Sequence, residues 1–445
     1  SSNKELNLGS GSNTLTVKSG GDISNLSTIT MGDNGNANIT IEKGAKLGTT
    51  TDTTINLGTA AANGKNTFTL KASGDHLNLS GSSSTDEITI SGNGINLNKL
   101  SAGSGSTTIN LESNGGIKTL ELGSVENNIT INGSGGVSTI TASGSVAHTL
   151  TIGNQATISS YTGGSGDDTI TLQSGASIGT TAAGATAGTG LKIETGSGSD
   201  TITIEKGAKF GSGVTIDFGA SGSGTLKLKG NDFDLTKMAG TTGTANELSV
   251  KNVTKIDLTD ATGNINLGDN QVTTQTGAGK EITITGVTQG NTLTLSKGAH
   301  EKVILDQSAK GISILQVTSG DKIDFSKVAT ELSTAISSTN FSSVSSTGSI
   351  SSSGAYVWNE TMNDFNSTEQ VKAKIKDAAK NLNSGQKALV AIKNGDTNND
   401  KSAIYLVSGS GTDGDTNITL DLLGIVGHKI DTNDKLGTGG VIEFN

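Results

Sequence analysis

Nine residues in the middle of the chain, "GGSGDDTIT" at 163–171, place three glycines and two carboxylates directly ahead of an alternating segment. They match the pattern G-G-x-G-x-D-x-U-x at every fixed position, where U is a large apolar residue. In such a turn the glycines free backbone carbonyls, the Asp adds a carboxylate, and the apolar residue anchors the next strand. Hard oxygen donors of this kind suit Ca2+, which takes roughly six to eight oxygens in flexible geometry. The candidate metal positions are therefore Gly163, Gly164, Gly166 and Asp168, with Gly196, Gly198 and Asp200 from a partly decayed second copy at 195–202. A third copy at 9–15 has Asn13 where Asp belongs. Each coil supplies half of a site, so Asp168 and Asp200 must lie on neighbouring turns to cooperate. The competing reading is a glycine-rich corner whose Asp only hydrogen-bonds its own turn.

Other constellations are weaker. The spacings Asp396, Asn398, Asp400 and Asp413, Asp415, Asn417 resemble calcium loops but lack the downstream Glu, and read better as solvated hairpin turns. "GASIG" at 175–179 has the form of a hydrolase nucleophile elbow. Its Ser177, however, occupies the repeat position held by Lys46 and Lys209 in sister segments, which makes it a structural corner. The four histidines are scattered, and no pair of carboxylates stands out for glycoside cleavage. The expectation is a protein that is not an enzyme.

The elements that must position these corners are repeats. "ITIEKGAKLG" begins at Ile39, "ITLQSGASIG" at Ile170 and "ITIEKGAKFG" at Ile202, with weaker relatives at Ile88, Ile109, Ile129 and Leu150. Period-two alternation puts Ile and Leu on one face and Thr, Asn and Lys on the other. Strand starts about twenty residues apart match one coil of a solenoid with two or three short strands. The fold class expected is all-β, a parallel β-solenoid (β-helix) over residues 1–318. Two irregularities stand out. The interval from Ile170 to Ile202 is long, with "GTTAAGATAGTG" at 179–190 reading as a surface loop. At 246–270 the period shortens to about nine residues, one short strand per side.

Composition agrees. The 445 residues are 31% hydrophobic and only 3% aromatic, with 64 Gly, no Pro and no Cys. Stacked aliphatic ladders build a thin core from such material, whereas a globular core would need more bulk. Without Cys there are no disulfides and no zinc-thiolate sites. All 31 basic residues are Lys and the net charge is -10, which argues against nucleic-acid binding. No apolar run reaches the roughly 20 residues of a spanning helix, so membrane insertion is not expected.

Residues 319–445 differ in character and read as a small α+β capping module. "STEQVKAKIKDAAKNLNSG" at 367–385 carries the best helix signal. Ser367 or Thr368 can cap it, Val371, Ile375, Ala378, Ala379 and Leu382 form its stripe, and Gly385 can stop it. Three strand-like pieces follow, "KALVAIK", "SAIYLV" and "NITLDLLGIV".

The nonapeptide at 163–171, "GDKIDFS" at 320–326 and "AIYLVSGSGTDGDTNITLDLLGI" at 403–425 together resemble the RTX-type surface-layer proteins of Gram-negative bacteria, which leave the cell by type I secretion. The resemblance implies a structural protein of the extracellular bacterial surface. Its partner would be itself, in a two-dimensional S-layer lattice assisted by Ca2+. It also implies a secretion signal in the tail and an anchor to surface polysaccharide in a region upstream of Ser1. The alternative function is a type I-secreted adhesin that uses the solenoid as a binding surface. A β-helical carbohydrate-active enzyme comes third.

Overall fold

The computed structural model describes residues 4–48, 52–112, 114–179, 192–211, 213–238, 248–275, 280–329, 332, 336–395, 400–411, 417–437 and 440–445. The chain forms two compact units, Ser1–Lys227 with Lys237–Asn252, and Leu228–Thr236 with Val253–Asn445.

The first unit is a parallel β-solenoid. Strands alternate between two sheets as the chain advances, so each coil adds one rung to both. One sheet runs through Asn13–Val17, Ala37–Ile41, Lys65–Leu70, Thr85–Ser91, Thr107–Glu112, Asn127–Gly133, His148–Ile152, Thr169–Leu172 and Gly198–Glu205. The other runs from Lys4–Asn7 through Gly74–Ser80 and Thr157–Thr162 to Thr215–Asp217, again parallel at every step. Alternation decides which side chains meet. Ile129, Leu150, Ile170 and Ile202 stack in one inward column and Ile131, Ile152, Leu172 and Ile204 in the next, all at most 1% exposed. Each such side chain contributes roughly 1.5–3 kcal/mol by leaving water. Outward, Thr130, Thr151, Thr171 and Thr203 form a half-buried polar column in the same register.

The long interval between Ile170 and Ile202 leaves the ladder undisturbed, because these two residues pair directly. The loop expected at 179–190 lies, from residue 180 onward, outside the described residues. The repeat slips by two residues at Thr107, which lies opposite Asp86 on one side and Ile129 on the other, and the register shifts again between Gly74 and Asn78 and between Lys4 and Glu5. Gly133 sits at the first of these with φ +96°, and a Cβ on it would come within 2.0 Å of the Leu111 carbonyl oxygen.

The second unit repeats the parallel arrangement on a smaller scale. Lys255–Asp257, Ile282–Thr285, Glu301–Ile304 and Lys322–Asp324 form one ladder. Ala261–Asn266, Thr292–Thr294 and Ile312–Leu315 form the other. Both then pass into the tail. Ile312–Leu315 pairs with Ile418–Val426, which continues through Ser402–Gly409, Lys387–Asn394 and Ala355–Met362 to Ser342–Val344. Lys322–Asp324 is covered by Val441–Glu443 running antiparallel.

The α-helix spans Thr368–Ile375, with Ser367 as its N-cap accepting from the Gln370 N–H. It is shorter than the apolar stripe predicts. Beyond Ile375 the chain continues in turns, and the Ala378 carbonyl is taken by Ile350 N–H at 2.8 Å. The stripe still packs, since Val371, Ile375, Ala378, Ala379 and Leu382 join Trp358 and Tyr405 in one core. Among the described residues no helix is long and apolar enough to cross a membrane.

Candidate functional site at the coil entries

A strand that points Ile inward at one position also points inward the residue two places earlier. Asp168 shares its side with Ile170 and Leu172, and Asp200 shares its side with Ile202 and Ile204. Both carboxylates are 1% exposed. The rule extends beyond the nonapeptides. Asn66, Asp86, Asn127, His148, Glu301 and Asp321 are buried polar residues that each stand two places ahead of an inward aliphatic or aromatic residue. Asp86, Glu301 and Asp321 are functional candidates that motif matching passes over. Parity of the alternation is the signal that finds them.

Several of these side chains bind the backbone of the adjacent coil, whereas Asp86 and Glu301 accept N–H groups of their own turn, from Ser82 and Ser296. Asp168 Oδ1 accepts the His148 N–H at 3.0 Å, and Asp200 Oδ1 accepts the Asp168 N–H at 2.8 Å. Asn66 Oδ1 accepts the Ala37 N–H at 2.9 Å, and Asp321 Oδ1 accepts the Glu301 N–H at 2.9 Å. Asn66 in turn donates through Nδ2 to Asp86 Oδ1 at 2.9 Å. The second oxygen of Asp168 is taken by the Tyr161 hydroxyl at 2.6 Å. Burial pushes the Asp86, Asp168, Asp200 and Asp321 carboxyls and the Tyr161 hydroxyl upward, and pulls the His148 imidazole down.

The structure therefore brings Asp168 and Asp200 together on successive strands, in direct register through Thr169 and Thr201. Of their four carboxylate oxygens, three already accept hydrogens from the protein. Both Asp168 oxygens face protein hydrogens, which a cation would repel. Asp200 Oδ2 is the one oxygen of the pair without a hydrogen-bond partner. With one free carboxylate oxygen, a Ca2+ ion here would have to draw most of its roughly six to eight oxygens from backbone carbonyls. Among the described residues no three His, Asp or Glu converge as a metal set.

The motif glycines serve close packing of coils. A Cβ on Gly163 would lie 2.2 Å from the Thr195 carbonyl oxygen, and one on Gly166 would lie 2.0 Å from that of Val146. Gly164, Gly196 and Gly198 are similarly crowded by backbone of the neighbouring turn. In the third copy Asn13 donates to the carbonyls of Gly9 and Gly11, so it ties its own turn. Ser177 pairs in register with Lys209, as its repeat position predicts. Of the two acidic spacings in the tail, residues 396–399 and 412–416 lie outside the described residues.

A second feature of the first unit is a surface groove of about 560 Å3 lined by Lys46, Leu47, Ser73, Asp75 and His76 among others. His76 Nδ1 lies 3.1 Å from Asp52 Oδ1, and Lys118 bridges Asp75 at 2.8 Å. The Lys118 ammonium holds the Asp75 carboxyl below its ordinary value.

Compared with family models, curated proteins and solved structures, the chain finds no match in any of the three. The functional reading rests on the molecule itself.

Proposed function

We propose that this chain is a structural protein of the bacterial cell surface that assembles side by side into a two-dimensional S-layer lattice. The observation that carries the reading is the run of parallel strands in the first unit, stacked coil on coil. It repeats the same short polar side chains outward, coil after coil, over a stacked aliphatic core. A rigid body with a periodic, weakly charged flank suits lateral contacts that must recur across a sheet. In this reading residues 319–445 serve as cap and type I secretion module, and the protein works outside the cell without catalysis. The resemblance of the nonapeptide and tail motifs to RTX-type surface-layer proteins supports the same conclusion. A calcium requirement then falls on contacts between copies, because the Asp168 corner is already satisfied by protein donors.

The adhesin reading draws on the groove at His76, whose charged and hydroxyl side chains could take a polyhydroxylated ligand. Negative-stain microscopy of the purified chain separates the two. With a few millimolar Ca2+, in the range of weak extracellular sites, ordered sheets are expected. Chelator should disperse the sheets while leaving the melting temperature of the isolated chain unchanged. Dispersed single particles under both conditions, together with binding to a glycan array, would favour the adhesin.

A further inference from the structure

Glu301 and Asp321 are the most deeply buried acidic pair among the described residues, each with 0% exposure. They occupy the same place on consecutive coils of the second unit, since Lys302 pairs with Lys322. Their hydrogen bonds are unequal. Asp321 is fully used as an acceptor: Oδ1 takes the Glu301 N–H at 2.9 Å, and Oδ2 takes the Thr318 N–H at 2.7 Å and its hydroxyl at 3.1 Å. Glu301 Oε1 takes the Ser296 N–H at 3.1 Å, but Oε2 meets no donor. The Glu301 and Asp321 side chains are stacked on adjacent rungs, both inward, one place ahead of the Lys302–Lys322 pair.

Among the described residues no cation pairs with either carboxyl. Around the pair, Lys322 is engaged by Glu281 at 2.9 Å and Lys297 by Asp269 at 2.8 Å. Glu281, the partner of Lys322, precedes the strand on one side, and Glu443 lies on the covering strand on the other. His300 is exposed and Lys302 points outward by alternation; neither forms an ion pair with the two carboxyls. Two unscreened carboxylates in contact inside a protein do not both stay ionised.

We propose that Glu301 and Asp321 share one proton, carried on Glu301 and donated to Asp321, and that this proton clasps two consecutive coils of the C-terminal unit. Losing it leaves two buried negative charges face to face and opens the ladder between Glu301–Ile304 and Lys322–Asp324.

The direction of the pH effect follows from linkage. Burial, then the Asp321 charge, push the Glu301 carboxyl up to about 9 from 4.5. A raised folded-state value means that the contribution is complete below about 4.5. It declines as pH rises towards about 9 and is lost beyond it. Over that window one group can change the unfolding equilibrium by up to about tenfold per pH unit.

Hydrogen exchange of the full chain between pH 5 and 10, corrected for intrinsic exchange, tests the clasp. Protection of residues 301–304 and 322–324 is expected to fall at least tenfold further across this range than that of 148–152. In Glu301→Gln the carboxamide supplies a permanent donor to Asp321, so the excess pH dependence should vanish. Parallel pH curves for wild type and Glu301→Gln would overturn the proposal. Should that variant not fold, carboxyl-carbon NMR of the wild type decides. A Glu301 titration near the ordinary glutamate value, or one that moves with added Ca2+, would show that no proton clasp exists.

Discussion

Asp168→Ala is expected to destabilise the first unit by roughly 2–5 kcal/mol, because it strands two buried donors at once. The His148 N–H and the Tyr161 hydroxyl both end on this carboxylate. Neither has water to turn to, since Tyr161 is fully buried and His148 is 3% exposed. For a unit of this size the loss corresponds to a fall of about 5–15 °C in melting temperature. Asp168→Asn should lose much less: its amide oxygen still accepts the His148 N–H, and the Tyr161 hydroxyl can rotate to accept from the amide nitrogen. The ordering wild type, Asn, Ala is the signature of a hydrogen-bonding role. A calcium ligand would behave differently, with both substitutions mattering only when Ca2+ is present. Melting curves of the three proteins, each with Ca2+ and with chelator, distinguish the two cases. A drop confined to the Ca2+ samples would restore the metal reading of the nonapeptide.

Removing residues 435–445 should have the second large effect. This segment contributes Leu436, Ile442 and Phe444, all buried, and the strand Val441–Glu443 that closes the Lys322–Asp324 ladder. Three large side chains are worth roughly 5–9 kcal/mol of burial. The stretch is also tied at its end, with Asp434 accepting the Asn445 N–H at 2.9 Å and lying 3.3 Å from His428 Nε2. Without it, Ile323 and Phe325 meet water and the ladder presents a row of unpaired backbone groups, a template for aggregation. The truncated chain is expected to melt earlier in its C-terminal unit and to associate at micromolar concentration. Light scattering during a thermal ramp reads both changes. A monomeric protein with an unaltered transition would show that the last strands do not cap.

Much of this architecture was legible in the sequence because its cause is local. Alternation of Ile and Leu with Thr and Asn dictates a two-faced strand wherever it occurs, and its recurrence every twenty or so residues dictates stacking. The Ser367 cap and the apolar stripe at Val371 and Ile375 likewise act within a few residues. The helix came out shorter than its stripe, since the Ala378 carbonyl bonds to Ile350, a partner no local pattern could foresee.

The nonapeptide was the hardest stretch to read, for a physical reason. A Gly-rich turn with an Asp at its end serves equally to cradle an ion or to let two coils approach. The residues themselves are the same in both cases. Parity places Asp168 on the inward side, yet what it meets there depends on Tyr161, seven residues away, and on His148, one coil earlier. Glu301 and Asp321 carry no motif at all, and their pairing exists only because the Lys302–Lys322 register stacks them. By itself the sequence determined the strands, their faces and their repeat, because those follow from side-chain alternation along one segment. Tertiary structure alone decided which buried acids have partners, because that is fixed by register between coils some twenty to thirty residues apart.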